Sequence, residues 1–357
     1  MVKVLHILPR TPVGGVGSFL KNTQLRINKD YNFDYLIIEN VKNSNFIDFA
    51  KKNESEVYLL DEKLSLFNTI KIQKKINAIL KKNKYDIVHL HSANVAALVF
   101  PICKNHGIEI RILHSHATKY SDNLFKAIRN YFLQLPMGHY ATHYIACSSA
   151  AGKFLFKNHN FKVVYNGIDT SIFQPKYYKI NNDEIILGHV GNFNDQKNHK
   201  FLIEIFKKIH EIDKSYKLWL FGDGKLMDDI KNKVRENNLT ENVFFFGKVN
   251  DIQNYYDKIN LILLPSLYEG FPLVAMEAQA YGIPIIASDR ITKEIDFFGD
   301  TRFLGIRNKD VQKWVTEIIA TDFSQRKIKS ELFRKSKFTI DNTTKQLELF
   351  YEDCLKG

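Results

Sequence analysis

Glu269 and Glu277 stand eight positions apart on either side of Gly270-Phe271-Pro272-Leu273-Val274, and no stretch of this 357-residue chain is better suited to chemistry. Residues 261–264 read as a buried strand ending at Pro265-Ser266. A loop then carries Glu269 to Pro272, and the pattern predicts a helix over 273–281. Pro272 suits a helix entry, because the N–H it lacks would have no helical partner there. Gly270 leaves the backbone open to close approach. The amides of Gly270, Phe271, Leu273 and Val274 can face a phosphate at the helix start. Two carboxylates beside such a site would repel the anion itself. They can instead accept hydrogen bonds from ribose and hexose hydroxyls. A solvent-facing loop acid is the plain alternative for Glu269. It is weaker for Glu277, which sits among Leu273, Val274, Met276 and Ala278.

Three further groups could take part. Lys197 opens a predicted helix over 197–210, just after a strand that ends at Gly191. A cation there is opposed by the helix dipole unless an anion shares the site, and a diphosphate would be such an anion. Gly14-Gly15-Val16-Gly17 follows the first strand and precedes a helix, so its backbone can approach an anion or simply make a tight turn. Its spacing is not that of the dinucleotide fingerprint. His114 and His116 alternate at the end of a strand over 110–116 and so share one face of it. A His-x-His pair can bind metal. No third ligand stands near it in the sequence, so polar cleft residues and no metal are expected.

The elements that must position these residues alternate strand and helix. Strands are expected over 2–8, 34–38, 57–60, 86–91, 110–116 and 143–147, with helices over 17–27 and 66–80. After Asn166-Gly167-Ile168-Asp169 the pattern restarts, with strands over 184–190, 217–221, 243–246, 261–264 and 284–287. Such alternation argues parallel sheets covered on both faces, an α/β architecture. Two Rossmann-like, doubly wound domains are expected, over 1–170 and 171–340, with a terminal amphipathic helix in 341–357 returning toward the first. Ligands of open α/β sheets bind beyond the carboxyl ends of the strands. Every motif above follows a predicted strand, so a cleft between the two domains is the expected site.

Composition excludes several classes. The chain is 45% apolar, which suits two domains of ordinary size, and its longest apolar runs are too short to span a bilayer. Cys103, Cys147 and Cys354 are widely spaced and show no zinc or disulfide pattern. Formal net charge is +12, spread over scattered lysines. That balance fits either a solvated surface or attraction to an anionic membrane surface. No nucleic-acid recognition motif accompanies it. A cytoplasmic protein is expected, with a peripheral place at the inner membrane face.

Together the motifs resemble the family 4 retaining glycosyltransferases of GT-B fold, especially the capsular and exopolysaccharide type. The strongest element is Glu269-Gly270-Phe271-Pro272 through Glu277, similar to the family's pair of glutamates with seven residues between them. The GGVG loop, Asn166-Gly167-Ile168-Asp169, Phe221-Gly222-Asp223-Gly224 and Phe246-Gly247-Lys248-Val249 support it, and the resemblance covers nearly the whole chain. It implies that Lys197 contacts the diphosphate of a nucleotide-sugar donor, UDP-linked in the first instance. It implies that Glu277 binds the ribose, and that Glu269 and the Gly270–Val274 backbone meet the transferred sugar. Gly15 and Gly17 would lie over the reacting phosphate, with Gly222, Gly247 and Val249 toward the nucleotide. His114 matches the family histidine beside the sugar, and His116 is the alternative register. The implied reaction moves a hexose or N-acetylhexosamine to a saccharide acceptor, lipid-linked in this type, without metal or other cofactor. One departure stands out: Asn192 occupies the place of a usual arginine, which removes a permanent charge and a two-pronged phosphate donor. A nucleotide-sugar 2-epimerase and a non-catalytic, sugar-nucleotide-binding partner subunit are the alternatives.

Overall fold

The computed structural model describes residues 1–12, 14–41, 45–120, 124–135, 137–176, 184–249 and 251–357; the side chains of Leu66, Leu124 and Lys126 lie outside the description. The chain forms two compact units. The first comprises Met1–Gly167 with Ile340–Gly357, and the second Ile168–Thr339.

The first unit is a parallel sheet of β1 (Val2–Arg10), β2 (Tyr31–Glu39), β3 (Val57–Leu59), β4 (Ile87–Leu90), β5 (Ile110–Ser115), β6 (His143–Ala146) and β7 (Lys162–Val163). Their spatial order is β3-β2-β1-β4-β5-β6-β7. The chain winds outward from β1 to β3, then returns beside β1 at β4 and winds the other way. The crevice for ligands therefore opens between β1 and β4, where the direction reverses. Strand alternation explains the packing. Val4 and Leu8, Ile87, and Ile112 place apolar groups on one face, with Phe19 and Leu20 of the helix Gly14–Gln24 over them. Leu347 and Tyr351 of the C-terminal helix Ile340–Lys356 complete this core.

The second unit repeats the plan with β8 (Ile185–Val190), β9 (Tyr216–Phe221), β10 (Val243–Gly247), β11 (Leu261–Leu264), β12 (Ile285–Ser288) and β13 (Arg302–Leu304). Spatial order is β10-β9-β8-β11-β12-β13, so its reversal lies between β8 and β11. The strands are near-continuous apolar runs, as a sheet buried on both faces requires. Leu202, Ile205 and Phe206 of the helix His199–Ile212 and Trp314 of the helix Val311–Ile319 close over them.

Several local expectations change. The first helix begins at Gly14, so Gly14 and Gly15 lie within it, three residues ahead of the start expected at Gly17. Lys197 does not open a helix. It ends the short turn Asp195–Lys197, and Asn198, at φ +56°, separates that turn from the helix beginning at His199. Leu66–Asn68 is a separate tight turn ahead of the helix Thr69–Lys82. The short edge strands β7 and β13 had no counterpart in the sequence reading.

Candidate active site

In the second unit, the residues singled out from sequence gather at the reversal between β8 and β11. Gly191 follows β8, and its N–H donates to the Phe221 carbonyl at the end of β9 at 2.9 Å. A side chain on Gly191 would lie 2.7 Å from the Lys197 stem, so glycine here lets the lysine fold across the strand end. Gly222, at φ +133°, packs so closely that an added Cβ would meet the Gly191 carbonyl at 2.0 Å. Three strand ends are thereby pressed together, with the Gly222 N–H donating to the Gly247 carbonyl at 2.8 Å. Lys248 is exposed beyond them and Val249 is half-buried.

Lys197 Nζ pairs with Glu269 Oε1 at 2.6 Å, and both side chains are largely shielded from solvent. Gln196 Nε2 donates to Glu269 Oε2 at 3.2 Å and to the Tyr268 carbonyl at 3.0 Å. The Leu267 N–H returns a bond to the Gln196 carbonyl at 2.8 Å. The turn after β8 and the loop after β11 are therefore laced together through Gln196, which the sequence reading passed over. Asn194 Oδ1 accepts from the Lys197 N–H at 3.2 Å and fixes the turn. Asn192 is exposed at the same strand end. Pro272 is the residue just before the helix Leu273–Ala280, so the amides of Leu273 and Val274 fall in its first turn, where no intrahelical acceptor exists.

Glu277 lies on that helix and is only partly exposed. Tyr256 Oη donates to its Oε2 at 2.6 Å. Burial raises the Glu277 carboxyl pKa; the Tyr256 hydrogen bond and the charge of Lys197 oppose the rise. Burial, and then the Glu277 charge, push the Tyr256 phenol well above its ordinary value, so it remains a donor. Tyr256 is itself braced. Buried Arg326 donates from Nη1 to the Asp257 and Ile259 carbonyls and from Nε to the Tyr281 carbonyl, each at 3.1–3.2 Å. Tyr256 and Arg326 are neighbours that a short motif cannot disclose, because Tyr256 reaches Glu277 from 21 residues upstream and Arg326, from a later helix, reaches the Tyr256 carbonyl.

In the first unit, β1, β4 and β5 each place histidine on the face that carries the core. His6 alternates with Val4 and Leu8, His89 and His91 with Ile87, and His114 and His116 with Ile112. The five rings stack, with neighbouring centroids 3.8–5.4 Å apart. Two hydrogen-bonded chains run through them. His116 Nε2 meets His91 Nδ1 at 2.9 Å, and His91 Nε2 meets His6 Nδ1 at 2.9 Å. His114 Nδ1 meets His89 Nε2 at 3.1 Å, and His89 Nδ1 meets Tyr351 Oη of the C-terminal helix at 2.7 Å. A neutral imidazole has one N–H, so the tautomer of each ring fixes the next.

Placement separates the two histidines of the sequence reading. His114 is 1% exposed, inside the stack, whereas His116 reaches the surface in part. His116 is thus the more accessible ring of the two, with its Nε2 already bonded to His91. A third histidine, His91, also stands beside them, which spacing alone did not show. His6, His89 and His91, and again His91, His114 and His116, bring three nitrogens within 4.8 Å. Both nitrogens of His91 already share protons with neighbouring rings, so an ion would have to break those bonds. The arrangement fits a protonic stack better than a ligand shell.

The stack predicts a pH dependence. Burial, foremost, holds the pKa values of His6, His89, His91 and His114 well below the ordinary imidazole value, and that of His116 is pushed down to about 3. Unfolded imidazoles titrate near pH 6.5, so below that value the unfolded chain binds more protons and stability falls with falling pH. Each imidazole kept neutral at about pH 5 loses about 2 kcal/mol relative to neutral pH. Thermal unfolding of the first unit is expected to be level above about pH 7 and to weaken steeply below about pH 6.5. A melting temperature constant down to about pH 5 would contradict a neutral stack.

Known proteins share this organisation. Residues 55–172 match Glycosyltransferase Family 4 and residues 171–321 match Glycosyl transferases group 1. The capsular polysaccharide biosynthesis glycosyltransferase CapH of Staphylococcus aureus is 27% identical over 369 residues, covering 98% of this chain and 99% of CapH. The UDP-Gal:alpha-D-GlcNAc-diphosphoundecaprenol alpha-1,3-galactosyltransferase of Escherichia coli is 27% identical over 308 residues, 81% of this chain and 79% of that enzyme. Among solved structures, Anabaena HepE in complex with UDP and glucose matches with a TM-score of 0.80 at 16% identity, over 99% of this chain and 100% of HepE. At that identity the likeness speaks for the fold. The strand orders, the glutamate pair at the reversal of the second sheet and the two matched domains agree: the chain belongs to the family 4 glycosyltransferases of GT-B fold.

Proposed function

We propose that this glycosyltransferase takes a UDP-sugar as donor and extends a lipid-linked saccharide in the synthesis of a cell-surface glycan. The observation that carries the donor half is the Lys197–Glu269 pair, shielded from solvent and laid across the end of β8 beside the first turn of the helix Leu273–Ala280. A pyrophosphate arriving there meets Lys197 and first-turn amides, which offset the charge that develops as it leaves. Glu269, held by Gln196 on its other oxygen, is turned toward hydroxyls of the transferred sugar. Glu277, oriented by Tyr256, accepts from the ribose hydroxyls. The acceptor hydroxyl attacks the anomeric carbon on the face the diphosphate leaves. The departing phosphate oxygen takes its proton, so anomeric configuration is retained. Asn192 leaves the diphosphate without a second fixed cation at that point, which puts the greater burden on Lys197.

The acceptor half rests on a relative's name and on charge. The Escherichia coli relative is named for a diphosphoundecaprenol-linked acceptor. Among the described residues no helix is long and apolar enough to cross a membrane. Net charge of +12 suits approach to an anionic lipid surface. A donor screen by mass spectrometry, with purified protein and lipid-linked acceptors, tests the reading. A product one hexose or N-acetylhexosamine heavier, formed from one UDP-sugar, is expected. Conversion of the donor in the absence of acceptor would point instead to an epimerase.

Tyr256→Phe isolates the ribose contact. The ring still fills its buried site, but Glu277 loses a charge-directed hydrogen bond. Such bonds are worth about 1.5–3 kcal/mol. The donor KM should rise about tenfold while kcat stays within about twofold. An unchanged KM would remove Tyr256, and with it Glu277, from the ribose site.

A further inference from the structure

We infer that the helix Leu124–Gln134 is a membrane-docking surface of the first unit, seated on anionic lipid by its apolar face. This inference rests on the lipid-linked acceptor proposed above and names the surface that would meet it. The helix is inverted relative to an ordinary surface helix. Its polar side faces the protein: Asn130 is buried and donates to the Tyr120 carbonyl at 2.8 Å, and Gln134 donates to Asn94 Oδ1 at 2.6 Å. Its apolar side faces out, with Phe125 82% exposed, Ile128 49%, Phe132 61% and the following Leu135 58%. Positions 125, 128, 132 and 135 follow helical spacing and make one stripe. A water-soluble fold gains nothing by turning such a stripe to solvent, so it calls for an apolar partner.

Charge chooses the partner. Between residues 116 and 160 the sequence carries Lys119, Lys126, Arg129, Lys153 and Lys157 against Asp122 as its one acid. Arg129 and Lys153 are exposed, and Lys157 Nζ lies 5.3 Å from the Tyr131 ring centre. An apolar stripe flanked by cations is what an interfacial helix presents to acidic headgroups. A second copy of the chain would bring two basic patches together, which like-charge repulsion opposes. Position agrees as well. Asn94, which pins the helix, lies three residues after His91 at the carboxyl end of β4, the end where His116 emerges. In the turn Leu66–Asn68 and the helix Thr69–Lys82 after β3, Phe67 at 98% and Ile70 at 66% exposure turn further apolar groups outward. A lipid-borne acceptor held there would keep its headgroup near the first unit's polar crevice.

The test uses the whole protein in cosedimentation with phosphatidylglycerol and phosphatidylcholine vesicles. Two variants are compared: Phe125→Ser/Ile128→Ser/Phe132→Ser, and Arg129→Glu/Lys157→Glu. These side chains are exposed, and unchanged thermal unfolding verifies folding. Wild type is expected on phosphatidylglycerol and not on phosphatidylcholine. Each variant should lose about tenfold or more in partition, since each removes apolar contact or charge attraction of that order. Both should keep wild-type rates on a water-soluble short-chain acceptor while losing rate on an acceptor embedded in vesicles. Variants that sediment like wild type, or a wild type that ignores phosphatidylglycerol, would overturn the inference. So would a wild-type dimer that the triple serine variant converts to monomer, which would assign the face to self-association. If no acceptor of either kind is glycosylated while the vesicle results hold, the surface stands and the acceptor reading fails.

Discussion

Lys197→Ala is expected to lower kcat/KM by about two to three orders of magnitude, the scale of removing one preorganised electrostatic donor from a reacting centre. The second unit offers the diphosphate few fixed cations at the end of β8, because Asn192 stands where a guanidinium would otherwise help. Lys197 is placed by its backbone bond to Asn194 and by the space left at Gly191. Its stem is therefore ordered before any donor arrives, and little reorganisation is needed when the leaving group develops charge. Truncation leaves Glu269 with Gln196 but without its cation. Removing one member of a shielded pair can cost about 3–5 kcal/mol of stability. Steady-state kinetics should therefore be paired with a melt, and with Lys197→Ala/Glu269→Gln, in which the uncompensated charge is gone. If the double variant regains the melting temperature and not the rate, the lysine acts on the reaction. A rate within about threefold of wild type would remove Lys197 from the transfer step.

Glu269→Ala should lower kcat/KM by about two orders of magnitude, for two separable reasons. It deletes the acceptor for sugar hydroxyls, worth about 1.5–3 kcal/mol when charged. It also frees the Lys197 head to swing away from the strand end. Glu269→Gln keeps the shape and one acceptor oxygen, so it should lose less than the alanine variant. The combined Lys197→Ala/Glu269→Ala variant should be little worse than the poorer single variant, because residues of one network do not act additively. Independent, multiplying losses would show that the two act at separate places.

Much of this arrangement was legible in the sequence, and the rest was hidden for identifiable reasons. The alternation of apolar strands with helical periods gave both parallel sheets, because strands buried on two faces are long apolar runs that tolerate few substitutes. The stretch from Glu269 to Glu277 was legible because glycine, proline and acid at a strand-to-helix junction have few other uses. Strands β7 and β13 are two and three residues long, too short for any period to register. Lys197 read as a helix start because Asn198, whose left-handed backbone splits turn from helix, leaves no mark in composition. Tyr256 and Gln196 were invisible as partners of Glu277 and Glu269, since their contacts join segments 21 and 73 residues apart. A lone histidine in an apolar strand, such as His6, carries no spacing signal. The repeat of His-x-His at His89-His91 and His114-His116 was the available signal, and sheet register was needed to bring in His6. Tyr351, which ends one of the two histidine chains, comes from the helix that returns to the first unit near the chain's end.

Calorimetric titration of UDP, with GDP and ADP as comparisons, into wild type and Lys197→Ala measures the diphosphate site without any need for the acceptor. Wild type should bind UDP, and the variant should bind it at least about tenfold more weakly, as loss of a shielded charge-assisted contact requires. Equal UDP affinity in the two proteins, or no binding of any nucleoside diphosphate to wild type, would contradict a donor site built on the ends of β8 and β11.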